Sequence, residues 1–197
     1  DGPVLTEPNP IRFKTGRKGK TWEKNCVAIG LSAGFLEPLE STSLHLIQSG
    51  IMRLVTLFPD KSCSQTLVNA YNKATAKEFE EIRDFIVLHY KATTRDDSPY
   101  WQACRDMSIP DSLQERLELY KEFGHLLPGE NELFRADNWM AVLDGQNILP
   151  RHIAPIMSGR EHIDLNQTLN GMENAMKTLA VQCKSHEMYL AQHCPFK

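Results

Sequence analysis

A chain of 197 residues, 41% hydrophobic and 24% charged, holds enough apolar side chain to bury a core in one large domain or two small ones. Its formal net charge of −3 gives no support for a nucleic-acid partner, and the cluster Arg17, Lys18, Lys20 and Lys24 reads as a solvated turn. No apolar run is long enough to span a bilayer, which leaves no membrane partner to expect.

The five cysteines, Cys26, Cys63, Cys104, Cys183 and Cys194, are scattered and form no C-x-x-C pair. That argues against a zinc site or a disulfide framework, and for buried free thiols in a reducing cytoplasm. The opening residues, from Asp1, carry prolines at positions 3, 8 and 10 and read as loop. They look like the interior of a longer protein.

Residues 11–14 and 21–29 have strand-like letters, and the turn-forming residues 15–19 between them predict a hairpin. Within the second stretch, Cys26, Val27, Ala28 and Ile29 have the composition of a buried strand. Gly30, Leu31, Ser32, Ala33 and Gly34 follow, small residues that let a backbone turn sharply or approach a ligand closely.

A helix is predicted over residues 43–58, with Leu44, Ile47, Ile51, Leu54, Val55 and Phe58 at helical spacing. Because Leu46, Met52 and Leu57 fill other faces, this helix is expected to be buried nearly all round. Ser41 or Thr42 is placed to be its N-cap. Free N–H groups and the positive end of a helix dipole make an anion site, and Glu40 stands directly beside it. Two readings fit: a capped core helix preceded by a surface carboxylate, or an acid or base poised next to a bound anion.

A second helix, starting after Tyr71–Asn72 and covering residues 74–92, carries the stripe Phe79, Ile82, Phe85, Ile86 and His89. A short helix follows near residues 100–107. Another covers residues 112–124 through Leu113, Leu117 and Tyr120, with Asp111 as N-cap and Gln114 three residues on. Residues 130–137, with Phe134, read as irregular, and residues 138–143 as a helical turn or two. The last long helix, residues 165–184, presents Leu165, Leu169, Met172, Met176, Leu179 and Cys183 as a packing stripe. His45 reads as a packed residue, and His186 and His193 lack the further ligands that a metal needs. The fold class is α+β, mainly α: a short β segment feeding a helical body.

The string GFLEPLESTSLHLIQ resembles the signature of the flavin-dependent tryptophan halogenases. RFKTGRKGKTWEKNCVAIG before it, and SPYWQACRDMSIPDSL, NWMAVLDGQNILP and KSHEMYLAQHCPFK after it, are similar to successive blocks of that family. The resemblance implies a chemistry: reduced FAD, supplied by a flavin reductase, and oxygen oxidise a chloride or bromide ion to a hypohalous acid. That oxidant halogenates a separately bound indole or tryptophan-type molecule.

Carried over by position, Glu40 matches the active-site glutamate, facing oxidant and substrate, with Ser41 supporting it. Thr42 and Ser43 match the pair whose backbone amides hold the halide, although the best-known tryptophan enzymes have Gly where Ser43 stands. Gly30, Leu31 and Leu44 match the flavin side. Phe134 matches a substrate-sandwiching aromatic, with Leu133 where a second aromatic would stand.

By the same resemblance, residues 1–58 form the end of a flavin and halide region that continues the edge of a flavin-monooxygenase-type domain. Residues 59–197 form a helical substrate-side domain. No G-x-G-x-x-G is present, and the family's lysine and W-x-W-x-I-P block would lie upstream. The chain is therefore expected to be the C-terminal part of the enzyme, inactive alone and partnered by an N-terminal flavin domain that covers an apolar face of the central helix. A homodimer is compatible with it. The alternatives are a related flavin hydroxylase and, if the chain is natively this short, a non-catalytic helical interaction module.

Overall fold

The computed structural model describes residues 6–127, 129, 132–152, 154–157, 160 and 163–194. The chain divides into two compact units, Asp1–His152 and Ile153–Lys197.

Among the described residues of the first unit, four strands of two residues each precede the α-helices. β1 (Gly16–Arg17) pairs antiparallel with β4 (Gly34–Phe35), and β2 (Trp22–Glu23) with β3 (Cys26–Val27). The hairpin expected between residues 11–14 and 21–29 does not form. Gly16 and Arg17, read as turn letters, lie in a strand, and the tight turn falls at Lys24, which takes the left-handed region with φ 54°. Cys26 is exposed on that small hairpin and not in a buried strand.

Gly34 explains the β1–β4 ladder. A Cβ there would stand 2.7 Å from the Gly16 carbonyl oxygen, 2.8 Å from Arg17 Cα and 2.9 Å from the Phe79 ring. The close approach that this glycine permits is to the chain's own backbone. Gly34→Ala is expected to lower stability by about 1–3 kcal/mol, the usual cost of overpacking. Urea unfolding checks it, and an unchanged midpoint would show that the ladder can shift without cost.

Two-residue ladders are too short to stand alone, and the helices hold them. Asn72 acts as a surrogate strand: its Oδ1 accepts from the backbone N–H groups of Thr21 and Trp22, each at 2.8 Å. Its Nδ2 donates to the Trp22 carbonyl at 2.8 Å. The Trp22 ring, buried, meets Tyr71 edge-on at 5.5 Å between centroids.

The helices of this unit are α1 (Ser43–Thr56), α2 (Gln65–Lys91), α3 (Pro99–Asp106), α4 (Asp111–Phe123) and α5 (Ala136–Gly145). α2 is the axis of the unit. It begins about two turns before the predicted start because the Ser64 hydroxyl caps it, accepting from Thr66 N–H at 3.3 Å. Phe79, Ile82, Phe85, Ile86 and Leu88 on α2 are buried. They join two clusters, one with Leu46 and Ala33, the other with Leu113, Leu117, Tyr120, Trp139 and Leu143. α4 starts with Pro110 at its N-cap position, so Asp111 is the first helical residue and not the cap.

α1 is not buried all round. Only Leu46 and Gly50 are buried, while Leu44 is 78% exposed and Val55 64%; Phe58, 73% exposed, lies beyond the helix, which ends at Thr56 and not at 58. The reason is one-sided packing, because among the described residues only the inward face meets α2 and the 30–33 turn. That inward face is joined to α2 by a polar cluster. Arg53 donates to Thr75 Oγ1 and to Glu78 Oε2, both at 2.8 Å, and His45 Nε2 lies 3.1 Å from Glu78 Oε1. His45 is thus a partner of Glu78 at the edge of the core.

The second unit contains α6 (Leu165–Gln182) and α7 (His186–His193), a helix that the sequence pattern did not announce. Asp164 and Ser185 cap them, accepting from Gln167 and Met188 N–H at 2.9 and 3.3 Å. The stripe Leu165, Leu169, Met172, Met176 and Leu179 is exposed, contrary to the packing role expected. All five cysteines are free, and none is fully buried. No described helix is long and apolar enough to cross a membrane, and no described group of His, Cys, Asp and Glu could hold a metal ion.

Candidate active site

The string E-P-L-E-S-T-S folds into a tight corner. Pro38, with its ring-fixed φ, opens a 3-10 turn over Pro38–Glu40. Ser41 then takes left-handed angles, φ 53° and ψ 36°, a conformation that costs a non-glycine residue about 1–2 kcal/mol. Its N–H closes the turn on the Pro38 carbonyl at 2.9 Å. The chain is thereby swung directly into α1.

Neither Ser41 nor Thr42 caps that helix with its side chain. Thr42 already has helical angles, φ −78° and ψ −8°, whereas a capping hydroxyl needs an extended backbone at its own position. Thr42 is buried and Ser43 half-buried. The result is a 14-residue helix whose first-turn N–H groups have, among the described residues, no intrahelical or side-chain acceptor. Such an end attracts an anion.

Gly30, φ +66°, opens a 3-10 turn over Gly30–Ser32, and a Cβ on it would come 2.9 Å from Ile47 on α1. Leu31 on that turn and Leu44 on α1 are 72% and 78% exposed. The two adjoining elements therefore offer apolar surface beside the uncapped helix end.

Two consecutive α2 residues clamp the ends of the Glu40 corner. Tyr90 donates its phenol to Glu37. His89 Nε2 lies 2.9 Å from Glu40 Oε1, with the two side chains 24% and 30% exposed. His89 Nδ1 is 2.8 Å from the Phe85 carbonyl oxygen, one helical turn back. His89 was legible only as one letter of a core stripe, and no sequence signal placed it against Glu40.

The Glu37 contact, reinforced by burial, pushes the Tyr90 phenol up to about 12. Since this lies above the unfolded value of about 10, the contact's stabilisation is full below about pH 10 and is lost as pH rises toward 12. The stability difference between the wild type and Tyr90→Phe is expected to shrink over that window. A flat difference would mean that the phenol does not depend on Glu37.

One face of the Phe134 ring is covered. It is half-buried and stacks on Phe85 at 4.0 Å between centroids, tilted by 22°, and its carbonyl accepts from Trp139 Nε1 at 3.2 Å. Phe85 also meets the His89 ring edge-on at 4.9 Å. The structure thus joins Glu40, His89, Phe85 and Phe134 in one run of contacts. Leu133, next to Phe134, packs against the Ile82–Ile86 cluster.

A family model described as tryptophan halogenase matches residues 1–162. The chain is 44% identical over 158 residues to the tryptophan 6-halogenase of Streptomyces toxytricini, covering 77% of this chain and 30% of that protein. It is similar to the solved structure of a flavin-dependent halogenase from Xanthomonas campestris, with a TM-score of 0.90 and 41% identity, over 100% of this chain and 40% of that one. A flavin-dependent halogenase from Brevundimonas sp. BAL3 matches with a TM-score of 0.87 and 41% identity, over 95% and 38% of the two chains. The chain spans about a third of the length of the curated relatives it matches.

Proposed function

Because the chain belongs to the tryptophan halogenase family, we propose that it supplies the halide-holding and proton-accepting end of a flavin-dependent halogenase that acts on an indole-type ring. The observation that carries this reading is the uncapped start of α1 with Glu40 fixed immediately before it.

The residues at this corner fit a flavin and a halide. Exposed Leu31 and Leu44 offer an apolar face, and Gly30 takes a backbone conformation that brings its turn close to α1. When bound, reduced FAD together with dioxygen supplies the oxidising power that makes a halide electrophilic. The backbone N–H groups of Thr42 and Ser43 hold the halide. A serine at 43 keeps that N–H, so the departure from Gly leaves the donor in place. Ser41, by its left-handed turn, sets Glu40 before the helix end.

Glu40 then acts on the ring. As the new carbon–halogen bond completes, the C–H bond at the same carbon breaks and its electron pair restores aromaticity. The proton passes to the Glu40 carboxylate. Residues 1–58 belong to the flavin and halide side in this reading, and residues 59–197 to the substrate side. It includes a flavin reductase as the source of reduced FAD and a cytoplasmic setting. With Leu133 and a packed Phe134 where two stacking aromatics would stand, simple indoles fit better than free tryptophan.

The test is a product assay on the halogenating enzyme that carries this chain, with a flavin reductase, chloride or bromide, and indole or tryptophan. Halide-dependent formation of halogenated indole is expected. Hydroxylated indole, formed equally well without halide, would replace this reading with that of a flavin hydroxylase.

A further inference from the structure

We propose that His89 is the positioning and charge-balancing partner of Glu40: held as an imidazolium between two oxygens, it lets a carboxylate stand beside an anion site. This rests on the reading of the Glu40 corner as a halide and proton-transfer site.

With Glu40 ionised, the contacts assign the ring hydrogens. A backbone carbonyl only accepts, so His89 Nδ1, 2.8 Å from the Phe85 oxygen, carries a hydrogen. That directs Nε2 at Glu40 Oε1, 2.9 Å away. A bare imidazole nitrogen and a carboxylate oxygen are both acceptors and repel at that distance, so a proton lies between them. With Glu40 ionised, His89 bears both ring hydrogens and the pair is neutral overall.

The geometry locks this arrangement. Phe85 lies one turn before His89 on α2 and holds the ring from two directions, through its carbonyl and through the edge-on contact of its own ring at 4.9 Å. Glu40 is held from the other side, because Tyr90 and His89 grip Glu37 and Glu40 across a single 3-10 turn. Among the described residues no side chain donates to Glu40 Oε2. One carboxylate oxygen is therefore spent on His89 and the other is left to meet a reacting group.

The pairing answers an electrostatic problem set by the sequence. An anion bound at the start of α1 and an ionised Glu40 next to it repel each other. A positive charge held on His89 beside Glu40 offsets that repulsion and leaves Glu40 Oε2 open to accept a proton. Halide affinity and proton acceptance then coexist in one corner.

The first test uses nitrogen-15 NMR of the histidine rings in the 197-residue chain at neutral pH. His89 is expected to show both ring nitrogens protonated in the wild type, and to revert to the neutral form with hydrogen on Nδ1 alone in Glu40→Gln. A neutral His89 in the wild type overturns the proposal, as does a ring unchanged by Glu40→Gln.

The second test uses His89→Gln in the halogenating enzyme. It is expected to raise the KM for bromide about tenfold while the KM for indole stays within twofold, the scale of one unit charge lost roughly 12 Å away at an effective dielectric near ~20. Equal changes in both constants, or none, overturn the charge-balancing role. A failure of halogenation itself would sink the proposed function, yet the ring spectra would still decide the pairing.

Discussion

Glu40→Gln is expected to reduce the rate of halogenated product by about 100-fold or more, the range typical of a lost general acid–base group. The substitution keeps the shape of the side chain and offers an amide N–H that can donate to a neutral His89 Nε2. It removes the charge and, with it, the ability to take a proton from the ring carbon. Flavin binding should change little, since the cofactor face assigned to this chain is apolar, through Leu31 and Leu44. Thr42→Ala should do far less, because the halide is held by backbone N–H groups that survive the change. Product assays with bromide and indole on both variants separate these effects. Near-native turnover by Glu40→Gln would remove Glu40 from the chemistry and leave it as a corner residue, whose replacement costs under about 0.5 kcal/mol.

Phe85→Ala is expected to cost about 3–5 kcal/mol of stability, the upper part of the range for large core residues. Phe85 is 3% exposed and touches three rings at once: His89, Phe134 and Trp139. Removing its ring opens a cavity between the two clusters that α2 joins. The surroundings are poorly placed to fill it, since Trp139 is fixed by its bond to the Phe134 carbonyl and by the Arg116 guanidinium at 4.3 Å over its ring. Phe134→Leu, at a half-buried site, should cost less than half as much. Urea unfolding of both variants gives the comparison, and a loss below about 1 kcal/mol for Phe85→Ala would show that the core can collapse around the gap.

The helices were legible because their apolar letters recur at helical spacing. Leu113, Leu117 and Tyr120 are buried on α4 as their spacing demands. The β region was misread for a physical reason: ladders of two residues carry almost no alternation, and an asparagine side chain on a helix does part of the pairing. Burial was misread where periodicity stood in for contact. The stripes of α1 and α6 were predicted correctly as helical, but a stripe says which face is apolar and not what covers it.

Half of the candidate site was legible in the same way. Glu40, Ser41, Thr42 and Ser43 are contiguous, so the sequence announces them together. His89 lies 49 residues beyond Glu40 and meets it only because α2 folds back across the corner. Phe134 was legible as an aromatic at a fitting position, and Phe85 stacks on one of its two faces.

The contacts of the segment from Arg17 to Glu40 climb α2 in steps: Trp22 at Asn72, Arg17 at Glu80, Glu40 and Glu37 at His89 and Tyr90. From Asn72 to His89 a helix rises about 25 Å, so the rod acts as a ruler with the segment pinned at both ends. The 15 residues from Trp22 to Glu37 could reach about 50 Å if extended, so they are folded between the pins into short ladders and a 3-10 turn, and a length change there has to re-form those elements. A loop tied at one end would absorb an added residue as slack, whereas an insertion between Val27 and Leu36 would fall in the Gly30–Ser32 turn and the β1–β4 ladder that set the approach to the Glu40 corner. Natural variation in length should accordingly be confined to stretches outside the two pins, such as residues 59–63.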